Sequence, residues 1–164
     1  MQETNQRVFA TILAIIVVGF LIIGFILPFT YERNERPVLQ EPPWDSPQTL
    51  QLAQRACFDC HSNETVWPWY SYVFPMATLI QNDVERGRAV LNFSEWKTSG
   101  FEQAKTETVV EAVSKNQMPL PYYVLLHPEA DLTDIEQGQL INGLIATMSQ
   151  DKNLEADELD QPDK

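Results

Sequence analysis

From Val8 to Phe29 the chain reads VFATILAIIVVGFLIIGFILPF, without a charged residue. A helix over residues 8–29 rises about 33 Å at 1.5 Å per residue, enough to cross the hydrocarbon core of a bilayer. The run exceeds the apolar core of a signal peptide, and no small-x-small cleavage site follows it. Gly19 and Gly24 are compatible with a membrane helix, and Pro28 sits near its far end. The pattern predicts one N-terminal transmembrane anchor, with residues 1–7 before it. A buried core helix and a removed signal peptide are the alternatives. Arg7 lies on one side, offset by Glu3; Arg33 and Arg36 lie on the other, beside Glu32 and Glu35. These charges give no orientation.

Beyond the anchor the pattern changes three times. Residues 30–45 and the two after them carry Pro37, Pro42, Pro43 and Pro47 among charged side chains, which predicts an extended, stiff linker. Residues 151–164 are rich in acids and poor in large apolar residues, the composition of a solvated, disordered tail. The folded domain is expected over residues 46–150.

Its periodicity is helical. Ser46-Pro47 is an N-cap with proline at the first helical position, starting a helix that should reach about Cys57. Leu79, Ile80, Val84, Ala89 and Val90 predict a second helix over residues 76–91, weakened by Gly87. Thr108 with Glu111, and Thr133 with Glu136, read as capping boxes for two more. The last should bury Leu140, Ile141, Leu144, Ile145 and Met148. No alternating strand pattern is visible, so the expected fold is all-α. Residues 63–75 and 118–132 read as long irregular stretches rich in proline and aromatics. Ordered loops of that length usually serve a site.

Charge and composition narrow the function. Among 164 residues, 23 acids face 11 Lys and Arg, for a net charge of −12. A nucleic-acid binder needs a basic face, so that class is unsupported. An acidic surface instead suits docking to a basic partner. Two Cys and two His exclude a disulfide scaffold and a multihaem chain.

Both cysteines and one histidine fall in Cys57-Phe58-Asp59-Cys60-His61. This is the C-x-x-C-H pattern of covalent haem attachment. Residues three apart share a face on one helical turn, so both sulfurs can bond to the haem vinyls, and the next residue offers an imidazole to the iron. Three other readings use the same residues. A redox dithiol normally accompanies a βαβ pattern, absent here. A zinc site could add His127, but Cys60 and His61 are adjacent. A Cys57–Cys60 disulfide would close a very small loop.

CFDCHSNETVWPWYSYVFP, NDVERGRAVLNFSEW and NQMPLPYYVLLHPEADLT together resemble the bacterial haem-binding domain family, small membrane-anchored proteins akin to monohaem c-type cytochromes. The likeness spans about residues 44–148, and the preceding anchor fits it. It implies a small cytochrome-c-like helical domain wrapped around one covalent haem c, placed outside the cytoplasm. It implies thioethers at Cys57 and Cys60 and a proximal ligand at His61.

The sixth ligand is more open. Met118, in Met118-Pro119-Leu120-Pro121, matches the family's M-P-L segment, and a thioether raises the potential. Met76 is a weaker rival. His127 would give a bis-histidine iron of lower potential; its alternative role is a hydrogen-bonded loop histidine. Trp67, Trp69 and Tyr70, with Tyr72 and Phe74, read as a haem wall or as core. Tyr122 and Tyr123 are candidates for the other haem face. Arg55, Arg86 and Arg88 are candidate propionate partners. Asn92 and Trp96 read as structural, with Ser94 capping a short helix.

The expectation is therefore an electron carrier rather than an enzyme, tethered to the cytoplasmic membrane with its domain on the extracytoplasmic side, and partnered by haem, lipid and a basic redox protein or respiratory or photosynthetic complex. The alternatives are a haem sensor or peroxidase-like protein with a displaceable sixth ligand, and a haem-bearing accessory subunit.

Overall fold

The computed structural model describes residues 2–31, 33, 36–97 and 105–159. Residue 1, linker positions 32, 34 and 35, and the last five of the expected tail lie outside the described residues. The described chain is all-helical; its only extended pairing is an isolated parallel bridge between Gln40 and Glu95. It divides into two compact units, residues 1–33 with 67–83, and residues 34–66 with 84–164.

In the first unit, α1 (Gln2–Ile26) runs into a 3-10 turn (Leu27–Thr30) that accommodates Pro28 near its start. The apolar helix over Thr4–Thr30 is long and apolar enough to cross a membrane, and only a small share of it is buried. The same unit holds a 3-10 turn (Trp69–Tyr72), in contact with the Leu27–Thr30 turn, and the start of α4 (Met76–Val90), where α2 and α3 are the helices Pro47–Ala56 and Phe58–His61 of the second unit. Phe74 meets Phe20 edge-on with 5.3 Å between ring centroids, in the space left by Gly24, and the Tyr31 hydroxyl bonds Thr78 Oγ1 at 2.8 Å.

The second unit holds the core. Ser46 accepts the Thr49 amide at 3.2 Å and starts α2 as its sequence predicts. The remaining helices are α5 (Thr106–Ser114), α6 (Pro121–Leu126) and α7 (Asp134–Leu159), with a 3-10 turn at Pro128–Ala130. Leu52 and Ala53 of α2, Val113 of α5, and Leu140, Leu144 and Met148 of α7 close around Phe58, Leu91, Phe93 and Trp96. Thr133 and Glu136 form the expected capping box: Glu136 accepts the Thr133 amide at 2.9 Å, and Thr133 accepts the Glu136 amide at 3.3 Å. Glu136 also accepts from Arg55 at 2.6 Å, and these donors, Arg55 foremost, hold its carboxyl down to about 2. The ionised form is therefore favoured by folding above the ordinary carboxylate range, and that contribution is lost only as pH falls toward 2.

Four expectations need correction. Thr108 caps nothing: α5 starts two residues earlier, with Lys105 at its N-cap and no side-chain cap. Ile145 is exposed, on the outer face of α7. α7 continues to Leu159, where residues 151–159 carry helix-favouring Lys, Leu, Glu and Ala in place of an unstructured tail. Residues 118–132 are not irregular throughout, because Pro121 opens α6 at its first turn. The later part of the linker is docked on this unit: Leu39 and Gln40 donate to the Ser94 carbonyl at 2.8 and 3.1 Å, and Trp44 packs on Phe93 with 5.2 Å between centroids.

Gly143 sets how closely α2 and α7 pack. A Cβ there would lie 1.9 Å from Thr49 Oγ1 and 2.7 Å from its methyl. Thr49 is buried and cannot turn away freely. Gly143→Ala is expected to cost about 1–3 kcal/mol despite alanine's better helix propensity. Urea unfolding checks this; an unchanged midpoint would show that the helices part at no cost.

Candidate haem-attachment site

The C-x-x-C-H segment forms a turn of its own. α2 ends as Cys57 leaves helical geometry (φ −127°), with its amide still bonded to the Ala53 carbonyl at 2.8 Å. The chain then re-enters helix as α3, where the Cys60 and His61 amides both reach the Cys57 carbonyl, at 3.1 and 2.9 Å. Cys57 and Cys60 thus lie three residues apart across a single turn, and neither is in a disulfide. Phe58, between them, points into the core and stacks on Phe93 at 5.6 Å.

A strap over residues 91–96 fixes this turn. The Phe93 amide donates to the His61 carbonyl at 2.8 Å. Ser94 Oγ does not cap a helix; it accepts the Asn63 amide at 2.9 Å. Asn63 in turn donates to Glu95 and to the Pro37 carbonyl, at 2.8 and 2.9 Å, and Asn92 donates to Asn63 at 3.1 Å. The structural role read for Asn92 and Trp96 holds, since both are buried here. His61 Nδ1 bonds the Leu91 carbonyl at 3.0 Å. That bond makes Nδ1 the protonated nitrogen and assigns Nε2 to any metal, the orienting contact that metal-bound histidines use. Residues 18–146 match the family described as haem-binding domain.

The chain belongs to the haem-binding domain family. No curated protein and no solved structure matches it. The side chains present fit the group this family binds: two cysteines on one turn with no disulfide between them, and an imidazole already oriented through its far nitrogen. Burial lowers the His61 pKa, against the pull of the Leu91 and Gly87 carbonyls, and favours the neutral imidazole that ligates iron. Burial, then the neighbouring Cys60, pushes the Cys57 thiol up to about 12. A redox dithiol needs the opposite shift, so this environment disfavours the thioredoxin-like reading. The zinc reading also loses support, because among the described residues no three His, Cys, Asp or Glu side chains converge as a metal site.

In this haem-binding domain the other candidate residues separate. Met118 follows the end of α5, where Asn116 turns the chain in the left-handed region (φ 53°); its amide bonds the Ala112 carbonyl, and its side chain is 36% exposed. His127 stacks on Tyr123 with 4.1 Å between centroids, and its Nδ1 lies 3.0 Å from Glu129. Tyr122 is exposed. Trp67, Trp69 and Tyr70 belong to the first unit, where Trp69 is 76% exposed with Tyr70 edge-on to it. Arg55 is committed to Glu136 and the Glu129 carbonyl, and Arg88 donates to the Ser62 carbonyl at 2.8 Å and to Thr65 at 2.9 Å, so both are engaged within the protein. Arg86 is exposed.

Asp59, Tyr123 and Gly87 shape the site through contacts that the sequence reading did not assign to them. Asp59, one of the two spacers in C-x-x-C-H, accepts the Val66 amide at 2.9 Å and the Tyr123 hydroxyl at 2.7 Å. Tyr123 thereby ties α6, flanked by Met118 and His127, to the attachment turn; burial and Asp59 raise its pKa and keep it a donor. Gly87 lies against Cys60 so closely that a Cβ would fall 2.3 Å from the Cys60 carbonyl oxygen. A glycine within a helical pattern is the signal of such an approach.

Proposed function

We propose that the chain is a membrane-tethered monohaem c-type cytochrome that passes single electrons on the extracytoplasmic side of the cytoplasmic membrane. The observation that carries this is the turn at Cys57–His61, with both thiols on one turn and His61 Nδ1 pinned to Leu91. Cys57 and Cys60 would hold the haem through thioethers, and His61 would bind the iron through Nε2. When bound, the haem supplies a one-electron Fe(II)/Fe(III) couple. The protein's part is to orient His61, to keep it neutral and to pack Phe58 and Phe93 beneath the turn. Covalent attachment of this kind takes place outside the cytoplasm, which supports the sidedness. α1 would serve as the tether, and confinement to the bilayer would raise the effective concentration toward membrane partners. The acidic chain suits a basic redox partner, through an attraction that salt screens.

Met118 is the proposed sixth ligand, with His127 its rival. Tyr123, which lies between them in the chain, donates its hydroxyl to Asp59 of the turn at Cys57–His61, and this supports a ligand from the same segment. The exposure of Met118 favours a second reading, in which its sulfur leaves and a small ligand takes its place. Absorption and resonance Raman spectra of the ferric and ferrous protein, beside Met118→Ala and His127→Ala, decide between them. For an electron carrier, the sulfur-to-iron charge-transfer band disappears in Met118→Ala alone, and the potential falls on the order of 0.1 V. A five-coordinate iron that binds CO readily in the unaltered protein would favour sensing or peroxidase-like chemistry. Absence of any covalent haem would overturn the proposal.

A further inference from the structure

The first unit contains a set of polar atoms that the haem reading leaves unused. Arg33, three residues past the end of the apolar helix, is enclosed by aromatic rings: its guanidinium carbon lies 4.0 Å from the Tyr72 centroid, 5.3 Å from Trp67 and 5.9 Å from Tyr31. One of its terminal nitrogens donates to the Ser71 carbonyl. Its Nε is buried with no hydrogen-bond partner. The same is true of Trp67 Nε1 and Ser71 Oγ. Arg33 and Trp67 offer only N–H donors, and the Ser71 hydroxyl can donate. Buried donors left without an acceptor are costly, so these three, one of them on the guanidinium itself, point to an acceptor-rich ligand of negative charge.

We propose that Arg33, Trp67 and Ser71 bind the phosphodiester of a phospholipid headgroup, while the exposed side chains of Trp69, Tyr72 and Val73 enter the membrane interface beside it. This rests on reading α1 as a membrane helix. Three observations select a lipid over free phosphate. Arg33 stands where the apolar helix ends at Thr30, the level at which headgroups begin. Arg33 brings one positive charge, matching the single negative charge of a phosphodiester, whereas inorganic phosphate carries more than one near pH 7. Trp69, Tyr72 and Val73, in the same unit as the helix, are 76%, 47% and 50% exposed, and Trp and Tyr are the residues that favour the interface. Phe74 follows them directly and packs on Gly24 and Phe20, so the segment runs alongside the membrane helix.

Native mass spectrometry of the full haem-loaded chain, released from micelles, tests the assignment. The probes are phosphatidylglycerol, phosphatidylcholine and a glycosyl diacylglycerol without phosphate. The unaltered protein is expected to retain one molecule of either phospholipid and none of the glycolipid. Trp67→Phe with Ser71→Ala removes two donors that hold nothing within the protein, and should weaken retention about tenfold with the helical content unchanged. Arg33→Gln should weaken it at least as much, and Arg33→Lys less. Equal retention by the variants, retention of the glycolipid, or displacement of the lipid by inorganic phosphate would each overturn the site. A chain that resists carbonate extraction yet retains no phospholipid removes the site alone. Release of the chain from membranes by carbonate removes the anchor reading, and this inference with it.

Discussion

Replacing Cys57 and Cys60 together with alanine is expected to abolish all haem that survives acid-acetone extraction, while His61→Ala keeps covalent haem but loses its nitrogen ligand. The two outcomes separate because the geometry separates the roles. The cysteines lie three residues apart across one turn without a disulfide, and each would form its own thioether. A single Cys→Ala variant therefore retains one attachment, seen as haem stain on a denaturing gel and an altered pyridine haemochrome band. His61 contributes nothing to attachment; its imidazole is turned by the Leu91 carbonyl to offer Nε2. In His61→Ala the stain persists, and the ferrous spectrum moves from low spin toward high spin. If the double cysteine variant still stained, the attachment assignment would fail. If His61→Ala left the spin state unchanged, the iron would have another proximal ligand.

The turn at Cys57–His61 was legible in the sequence because it resides in side-chain type and spacing. The same holds for Ser46-Pro47 and for Thr133 with Glu136, where the capping side chains themselves start the helices. What escaped resides in the backbone or in contacts between distant segments. The carbonyl that orients His61 belongs to Leu91, and any residue type could have supplied it. Asp59 occupies a variable slot of the motif, and its partner Tyr123 is distant in sequence. Thr108 and Glu111 have the spacing of a capping box yet sit one turn inside a helix already begun at Thr106. Trp44 and Gln40 lie in a stretch read as a stiff linker because it is rich in proline, and that composition does not say what an extended segment packs against. Their docking on Phe93 and Ser94 depends on a strap some fifty residues later.

Gly87→Ala is expected to destabilise the protein and to lower the yield of covalent haem, against the sign that helix propensity predicts. Within α4, exchanging glycine for alanine should stabilise by up to about 1 kcal/mol on propensity alone. Gly138 on α7 is the control: a Cβ there meets nothing within 4 Å, so Gly138→Ala should show that gain. At Gly87 the added carbon would lie 2.3 Å from the Cys60 carbonyl oxygen, 3.0 Å from its carbonyl carbon and 3.2 Å from its Cβ. These are mostly backbone atoms of the attachment turn and cannot swing aside as the tip of a long side chain does. Either α4 withdraws or the turn shifts. Withdrawal strains Leu91, whose amide bonds the Gly87 carbonyl at 2.9 Å and whose own carbonyl holds His61. A shift of the turn moves both sulfurs relative to the imidazole. The expected cost is about 1–3 kcal/mol in denaturant unfolding, the usual range for overpacking a fixed site. The fraction of chains carrying haem should fall in parallel. A stabilised Gly87→Ala protein with full haem content would mean that α4 and the turn are not in contact, and that the attachment site is held by the strap at residues 91–96 alone.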